Sequence, residues 1–425
     1  MKIIKTVLSV NKIILLAAGV MAGIMITTSS AEAEAAESII STIPYLNYNP
    51  IEFDKKGEFE ISWGSIESYY QGDSTVSYEC ELAADKGFKK VVKTFEVTEA
   101  KVLLDKMMLG KNGGTFYFHV RTKFVNKDVG TWHSNWSQPK TFSCFTINKA
   151  NFPGIFKLLK KGGRNYGFDG IKEVIYDKNE DGWLDECEIS TILQLSTANI
   201  NYVKKGIHYS KPYIKISSLK GIEKLPNLSS ISLSHFSGKK IDLKNNKIGY
   251  LSLTGVKSKK LTIIAPDAET VNIQPDYRTK LSKLDVRKCD KVRVLTAYGA
   301  NKSKVLKLPR VKKHLKVLSI SDFSLKNLNL NAYKNLQQLY IYDSVLPNLK
   351  LNKCRNLRYM YFYFVKNLSK VDARQCRKLR GVDVYSSPSL PLSRVKVPAK
   401  TKITQNKGKW WYGTNAYKND MKKIN

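Results

Sequence analysis

The densest set of metal-binding oxygens in this 425-residue chain lies between Asp177 and Glu188. Asp177, Asn179 and Asp181 hold positions 1, 3 and 5 of a twelve-residue loop, and Gly182 stands at position 6. Trp183 offers its carbonyl at position 7, Asp185 falls at 9 and Glu188 at 12. A hard cation such as Ca2+ needs about seven oxygens, and this spacing wraps them round one point while Gly182 permits the sharp turn. The plainer reading is a solvated acidic turn. Against it, the acids cluster in a chain that carries 71 Lys+Arg and only 36 Asp+Glu. Only one such loop is found, so the expectation is a structural Ca2+ clamp rather than a sensor, with an affinity suited to extracellular calcium.

A second set could make a recognition surface. Tyr298, Tyr340, Tyr342, Tyr359, Tyr361, Tyr363 and Tyr385 recur with Arg293, Lys316, Arg358 and Arg380 at matching intervals. Rigid amphipathic rings beside cationic forks are what binding faces use. The plainer reading is that Tyr is a good exposed strand former. Catalysis has little support. His119, His133, His208, His235 and His314 are scattered, and no H-E-x-x-H, G-x-S-x-G, phosphate loop or carboxylate pair stands out. The chain is therefore expected not to be an enzyme.

The elements that must position these residues follow from periodicity. From 219 to 403 the chain repeats, most clearly in Leu284-Asp285-Val286-Arg287-Lys288-Cys289, Leu349-Lys350-Leu351-Asn352-Lys353-Cys354 and Val371-Asp372-Ala373-Arg374-Gln375-Cys376. With the cysteine as register mark, equivalent positions fall at Leu225, Asn246, Pro266, Cys289, Val311, Tyr333, Cys354 and Cys376. The period is about 22, with L-x-x-L-x-L inside it, as in Leu336-x-x-Leu339-x-Ile341. One such unit cannot bury its apolar face. About eight stacked units build a continuous parallel β ladder, with the x residues on a concave surface. Cys289, Cys354 and Cys376 then stack, as a row of buried thiols in preference to disulfides or a metal site. All six cysteines together are too few for a disulfide scaffold and match no zinc spacing.

Residues 45–147 carry short alternating runs, including Phe59-x-Ile61-x-Trp63, that fit a two-sheet sandwich of about seven strands. Trp63, Tyr117-Phe118-His119-Val120-Arg121 and Ser134-Asn135-Trp136-Ser137-Gln138-Pro139 resemble a fibronectin type III domain. That resemblance implies a spacer or adhesion module without chemistry. It makes Trp63 and Tyr117 core residues, and Trp132 and Trp136 weak ligand candidates. Residues 150–218, starting a helix near Phe152-Pro153 and holding the acidic loop, together with Leu219-Lys220-Gly221-Ile222 and the repeats, resemble the secreted leucine-rich repeat proteins of Gram-positive bacteria. In that family a helical cap with an EF-hand-like loop precedes the solenoid. Here Phe152-Pro153-Gly154-Ile155-Phe156 is compressed, and the repeats are more basic and less regular.

The charge of +35 favours anionic partners. Lys2, Lys5 and Lys12, the apolar run 13–26 and Ala31-Glu32-Ala33 read as a signal peptide over 1–33, with an uncleaved anchor as the alternative. Export counts against nucleic acid, and no further membrane span is expected once the leader is removed.

The combined expectation is a multidomain protein. A fibronectin III-like all-β sandwich (45–147) leads to a calcium-loop helical cap (150–218), a parallel-β leucine-rich repeat solenoid (219–403) and a terminal cap or tail (404–425). Its function is expected to be non-enzymatic binding or adhesion, secreted or at the cell surface, with a protein or acidic glycan on the concave face. The alternatives are a structural envelope protein held to anionic wall polymer by charge and, last, a glycan-active enzyme.

Overall fold

The computed structural model describes residues 43–406, apart from 67–73, 128–129, 168–169, 199, 205–206, 212, 277 and 280. The expected leader over 1–33 and nearly all of the expected tail, with Trp410, Trp411 and Tyr412, lie outside the described residues. The chain is mostly β with few helices. It groups into two compact units, one holding residues up to 146 together with 177–189, the other holding 147–176 and the residues from 190 on. No helix among the described residues is long and apolar enough to cross a membrane.

The first unit is built from antiparallel strands. Glu58–Ser62 pairs with Lys101–Asp105. A second sheet runs Trp183–Leu184, Lys140–Thr146, Gly113–Asn126, Ser74–Ala83, Val91–Val97, with Gly130–His133 also on Gly113–Asn126. Alternation decides what lies between the two sheets, because side chains two apart share a face. Phe59, Ile61, Val102 and Leu104 meet Phe116, Phe118, Val120, Leu82 and Phe142 in one buried cluster that includes Trp63 and Trp183. Tyr117, expected in the core, is half-buried instead. Phe116 and Phe118 take the inward register, and a one-residue step reverses the face. Both tryptophans weighed as ligands have their rings engaged. Trp132 stacks on Phe124 at 3.9 Å, and Trp136 lies on His119 at 3.8 Å with Arg121 4.6 Å from its centroid.

The second unit contains a parallel β-solenoid of about eight turns in the C-terminal part of the chain. Among the described residues its inner sheet has twelve strands. From Gln194–Thr197 it passes in strict parallel order through Ser230–Ser234, Tyr250–Val256, Thr270–Pro275, Val294–Ser303, Val317–Phe323, Gln338–Tyr342, Tyr359–Tyr363, Gly381–Tyr385 and Lys402–Asn406. The ladder Ile231, Leu251, Val271, Leu295, Leu318, Leu339, Met360 and Val382 is sealed from solvent. Each coil contributes one or two apolar residues that only the next coil can cover, so the core exists only in the stack. The second apolar pair of each repeat forms short parallel strands away from this sheet, as in Leu328–Asn329 on Leu349–Lys350.

The stretch expected as a helical cap holds little helix. Phe156–Lys161 and Glu186–Thr191 have six residues each, and the first begins at Phe156 rather than at Phe152. Gly163–Gly167 and Gly170–Val174 form a hairpin that extends the inner sheet through Gln194–Thr197. The first coil presents a row of unpaired backbone N–H and C=O groups, and added strands satisfy these directly where a helix would only cover them.

Candidate functional site

On each inner strand the two ladder residues point into the solenoid, so the residues between and beside them form the opposite face of the sheet, the one expected to be concave. Register then makes columns. Ser232, Ser252, Asn272, Thr296, Ser319, Tyr340, Tyr361 and Asp383 stand side by side on successive strands. The neighbouring column runs Tyr298, Ser321, Tyr342, Tyr363, Tyr385. The face therefore changes character along the solenoid, from small polar residues to a block of tyrosines. Ring centroids are 4.6 Å apart for Tyr340–Tyr361, 5.2 Å for Tyr342–Tyr363 and 5.7 Å for Tyr363–Tyr385. Tyr359 stands 6.5 Å from Tyr361 on the same strand face. These separations follow the ~4.8 Å spacing of neighbouring strands, at which aromatic pairs attract by roughly 0.5–1.5 kcal/mol each.

Not all the expected tyrosines are available. Tyr342, Tyr359, Tyr361 and Tyr363 are half-buried, but Tyr340 and Tyr385 keep only 4% and 9% of their surface. Tyr340 is pinned from below, its hydroxyl donating to Gln338 Oε1 at 2.8 Å. Tyr298 is 39% exposed and stands apart from the block, with Ser321 between it and Tyr342. The basic row is real as a backbone ladder. The Lys316 N–H donates to the Arg293 carbonyl, Gln337 to Lys316, Arg358 to Gln337 and Arg380 to Arg358, at 2.7–2.8 Å. Along it Arg293 pairs with Glu269 at 3.1 Å and Lys316 is half-buried, while Arg358 and Arg380 are exposed.

Asp383 was not among the candidates, although it occupies the same column as Tyr340 and Tyr361. Its Oδ2 accepts the Tyr363 hydroxyl at 3.1 Å, and its Oδ1 is buried with no hydrogen-bond partner among the described residues. Burial first, and the Asp383 charge second, hold the Tyr363 phenol well above its ordinary range, so it stays protonated. An acid in the column of Tyr340 and Tyr361 was visible in the sequence. That a phenol would spend its proton on it was not.

The repeat's register position is a structural device. Asn246 Nδ2 donates to the Ile222 carbonyl at 2.9 Å and Tyr333 Oη to that of Pro309 at 2.8 Å. Cys354 Sγ donates to Leu330 at 3.1 Å and Cys376 Sγ to Leu351 at 3.4 Å. Each donor ties its coil to the previous one. The thiols of Cys289, Cys354 and Cys376 are buried and free, and burial pushes each up to about 12.

The acidic loop belongs to the first unit. Gly182 turns it at φ 80°, and Trp183 enters the sheet beside Thr146 while its ring lies 5.9 Å from Phe53. Asp185 accepts the Glu188 N–H at 2.8 Å and the Phe53 N–H at 2.9 Å. Asp177 accepts from Asp181 and Gly182, and Glu188 from Lys178 and Asp185. Lys106 Nζ meets Asp181 Oδ2 at 2.7 Å. Burial is the main cause that raises Asp177, Asp185 and Glu188, the last to about 7, with repulsion among the acids adding to it. The donor set has the chemistry Ca2+ asks for. Its oxygens, however, are turned onto backbone N–H groups and Lys106, and no three acidic, His or Cys side chains among the described residues converge on one point.

Among known proteins, no family model matches the chain, and no curated protein matches it. Among solved structures, the chain is similar to the one described as the functional domain of InlJ from Listeria monocytogenes, which includes a cysteine ladder. The identity is 15%, the TM-score is 0.30, and the match covers 62% of this chain and 63% of that one.

Proposed function

We propose that this is a non-enzymatic binding or adhesion protein, secreted or held at the cell surface, whose solenoid recognises a protein or acidic glycan through its concave face. One observation carries the reading. Tyr342, Tyr359, Tyr361 and Tyr363 form a half-exposed block on two consecutive strands, beside the exposed cations Arg358 and Arg380. Such a block is ordered before any partner arrives, so little side-chain entropy remains to be lost on binding. The first unit then serves as a fibronectin III-like spacer. Tyr342→Ser and Tyr361→Ser proteins, run against a glycan array and in pull-downs at about 0.5 M salt, test this, because long-range attraction is screened there. Loss of binding in both supports recognition by the face.

A charge of +35 favours the second reading, an envelope protein adhering to anionic wall polymer without a pocket. That reading requires binding that salt removes and the tyrosine variants leave unchanged.

We also propose a structural Ca2+ in the Asp177–Glu188 loop, held by Asp177, Asn179, Asp181, the Trp183 carbonyl, Asp185 and Glu188. The buried, mutually repelling acids support it, since a divalent cation would relieve that repulsion. Asp177 and Glu188 must turn out of their hydrogen bonds for the ion to enter.

A further inference from the structure

Hydrogen-bond polarity narrows the ligand of the concave face. Tyr363 has one proton to give, and it gives it to Asp383 Oδ2. What this pair offers an incoming molecule is therefore only acceptors, the phenolic lone pairs and a half-buried carboxylate whose Oδ1 is itself buried and has no donor among the described residues. The partner must bring donors. Donors come as cations, ammonium or guanidinium, or as neutral groups, hydroxyl or amide N–H. Surrounding charge decides between them. Arg358 and Arg380 immediately precede two consecutive strands in register and Lys402 opens the next one, one position further on; all three are exposed, and each is joined to the last by a backbone hydrogen bond. Asp383 lies three residues beyond Arg380, which immediately precedes that strand, or ~10 Å away at 3.3 Å per residue. An ammonium group entering beside Asp383 would face that row and the rest of a strongly basic molecule. A neutral hydroxyl would not, and an anionic group on the same ligand would be drawn to the row.

We propose that Asp383 and Tyr363 form a hydroxyl-binding subsite and that Arg358, Arg380 and Lys402 form the adjoining anion subsite for one ligand, an acidic polysaccharide. This rests on the concave-face reading above and commits it to the glycan rather than the protein. The sugar chain runs across the strands, with its anionic groups over the strand starts and its hydroxyls over mid-strand. Arg358 and Arg380 step by the ~4.8 Å strand spacing and Lys402 follows one position further on, so a ligand with repeated charge gains from each of these coils it crosses.

The test uses the full chain with three immobilised polymers: polygalacturonate (hydroxyls and carboxylates), polyglutamate (carboxylates and amide N–H groups, no hydroxyls) and dextran (hydroxyls alone). The expected result is tighter binding to polygalacturonate than to polyglutamate at matched charge, by about tenfold or more, the size of a hydrogen bond to a charged acceptor. Asp383→Asn should erase that preference without weakening polyglutamate binding. Arg358→Gln with Arg380→Gln should weaken both polyanions. Should Asp383→Asn melt early, Tyr363→Phe is the second variant, since it keeps the ring and removes the hydroxyl. Equal binding to the two polyanions, full preference in a folded Asp383→Asn protein, or retention by polylysine instead would each overturn the assignment. Tyr342→Ser separates the two levels. If it abolishes polymer binding while Asp383→Asn changes nothing, the subsite falls and the recognition face stands; if neither changes any binding, both fall.

Discussion

The Tyr363 hydroxyl donates to Asp383 Oδ2 at 3.1 Å across a separation of 20 residues, from one coil of the solenoid to the next. That bond makes the tyrosine block more than a stack of rings, because it fixes which hydrogen-bonding groups the concave face turns outward. It also joins the two columns of the face, Tyr363 standing in one and Asp383 in the other.

The tyrosine block should contribute to stability as well as to binding. Tyr361 stacks on Tyr340 at 4.6 Å and neighbours Tyr363 on its own strand. Tyr361→Ala should cost about 1–2 kcal/mol, read from urea melts, and Tyr361→Phe well under half of that. If both variants melt like the wild type, the rings are ornaments on the sheet.

Thiol chemistry should report the state of the solenoid. Cys289, Cys354 and Cys376 are buried and held near 12, so they carry almost no thiolate at neutral pH. Cys80 and Cys144 are buried in the first unit, and only Cys187 reaches solvent. An aromatic disulfide reagent at pH 8 should label at most Cys187 in the native protein and all six cysteines in urea. Fast native labelling at Cys354 would contradict the stacked ladder.

His119 should make the first unit acid-sensitive. Its ring lies 3.6 Å from Phe88 and 3.8 Å from Trp136, and burial lowers its pKa below 6.5 against the opposing pull of Glu81. The unfolded chain therefore takes up this proton first. The contribution is intact above 6.5, declines as pH falls from there to the lower folded value, and is flat below it. Glu188, raised to about 7, acts with the opposite sign in an overlapping window, so the wild-type profile is a sum of the two. The comparison that isolates His119 is with His119→Phe, whose stability relative to wild type should rise between pH 7.5 and pH 5.

Calcium should be visible at Trp183, which lies in the proposed loop and in the core at once. Adding millimolar Ca2+ to chelator-treated protein should change tryptophan emission and raise the melting temperature, by about 2.7 kcal/mol of stability at a hundredfold excess over Kd. Glu188→Gln should abolish both effects. Lys106→Met should strengthen Ca2+ binding, because it removes the ammonium already paired with Asp181. A wild-type protein indifferent to Ca2+ would leave Lys106 as the cation that Asp181 holds.

What the sequence could specify was whatever repeats. A period near 22 with two ladder residues per unit leaves one way to bury the apolar side chains, and that way places Tyr340 beside Tyr361 and Tyr342 beside Tyr363. The cap was not legible in the same manner. Residues 163–174 and 194–197 have no period to announce a strand, and what makes them strands is the open edge of the first coil waiting beside them. Tyr117 was misplaced for a related reason, since two faces of one alternating run look alike until a partner sheet chooses between them.

The chain by itself determined the solenoid, the columns on its inner face and the oxygen-rich loop, because spacing along a polymer sets these directly. Tertiary structure alone decided which tyrosines stay open, that Lys106 reaches Asp181 and that Tyr363 gives its proton to Asp383. Those outcomes depend on where side chains distant in sequence end up and on which donor finds which acceptor, and no local pattern of residues encodes that distance.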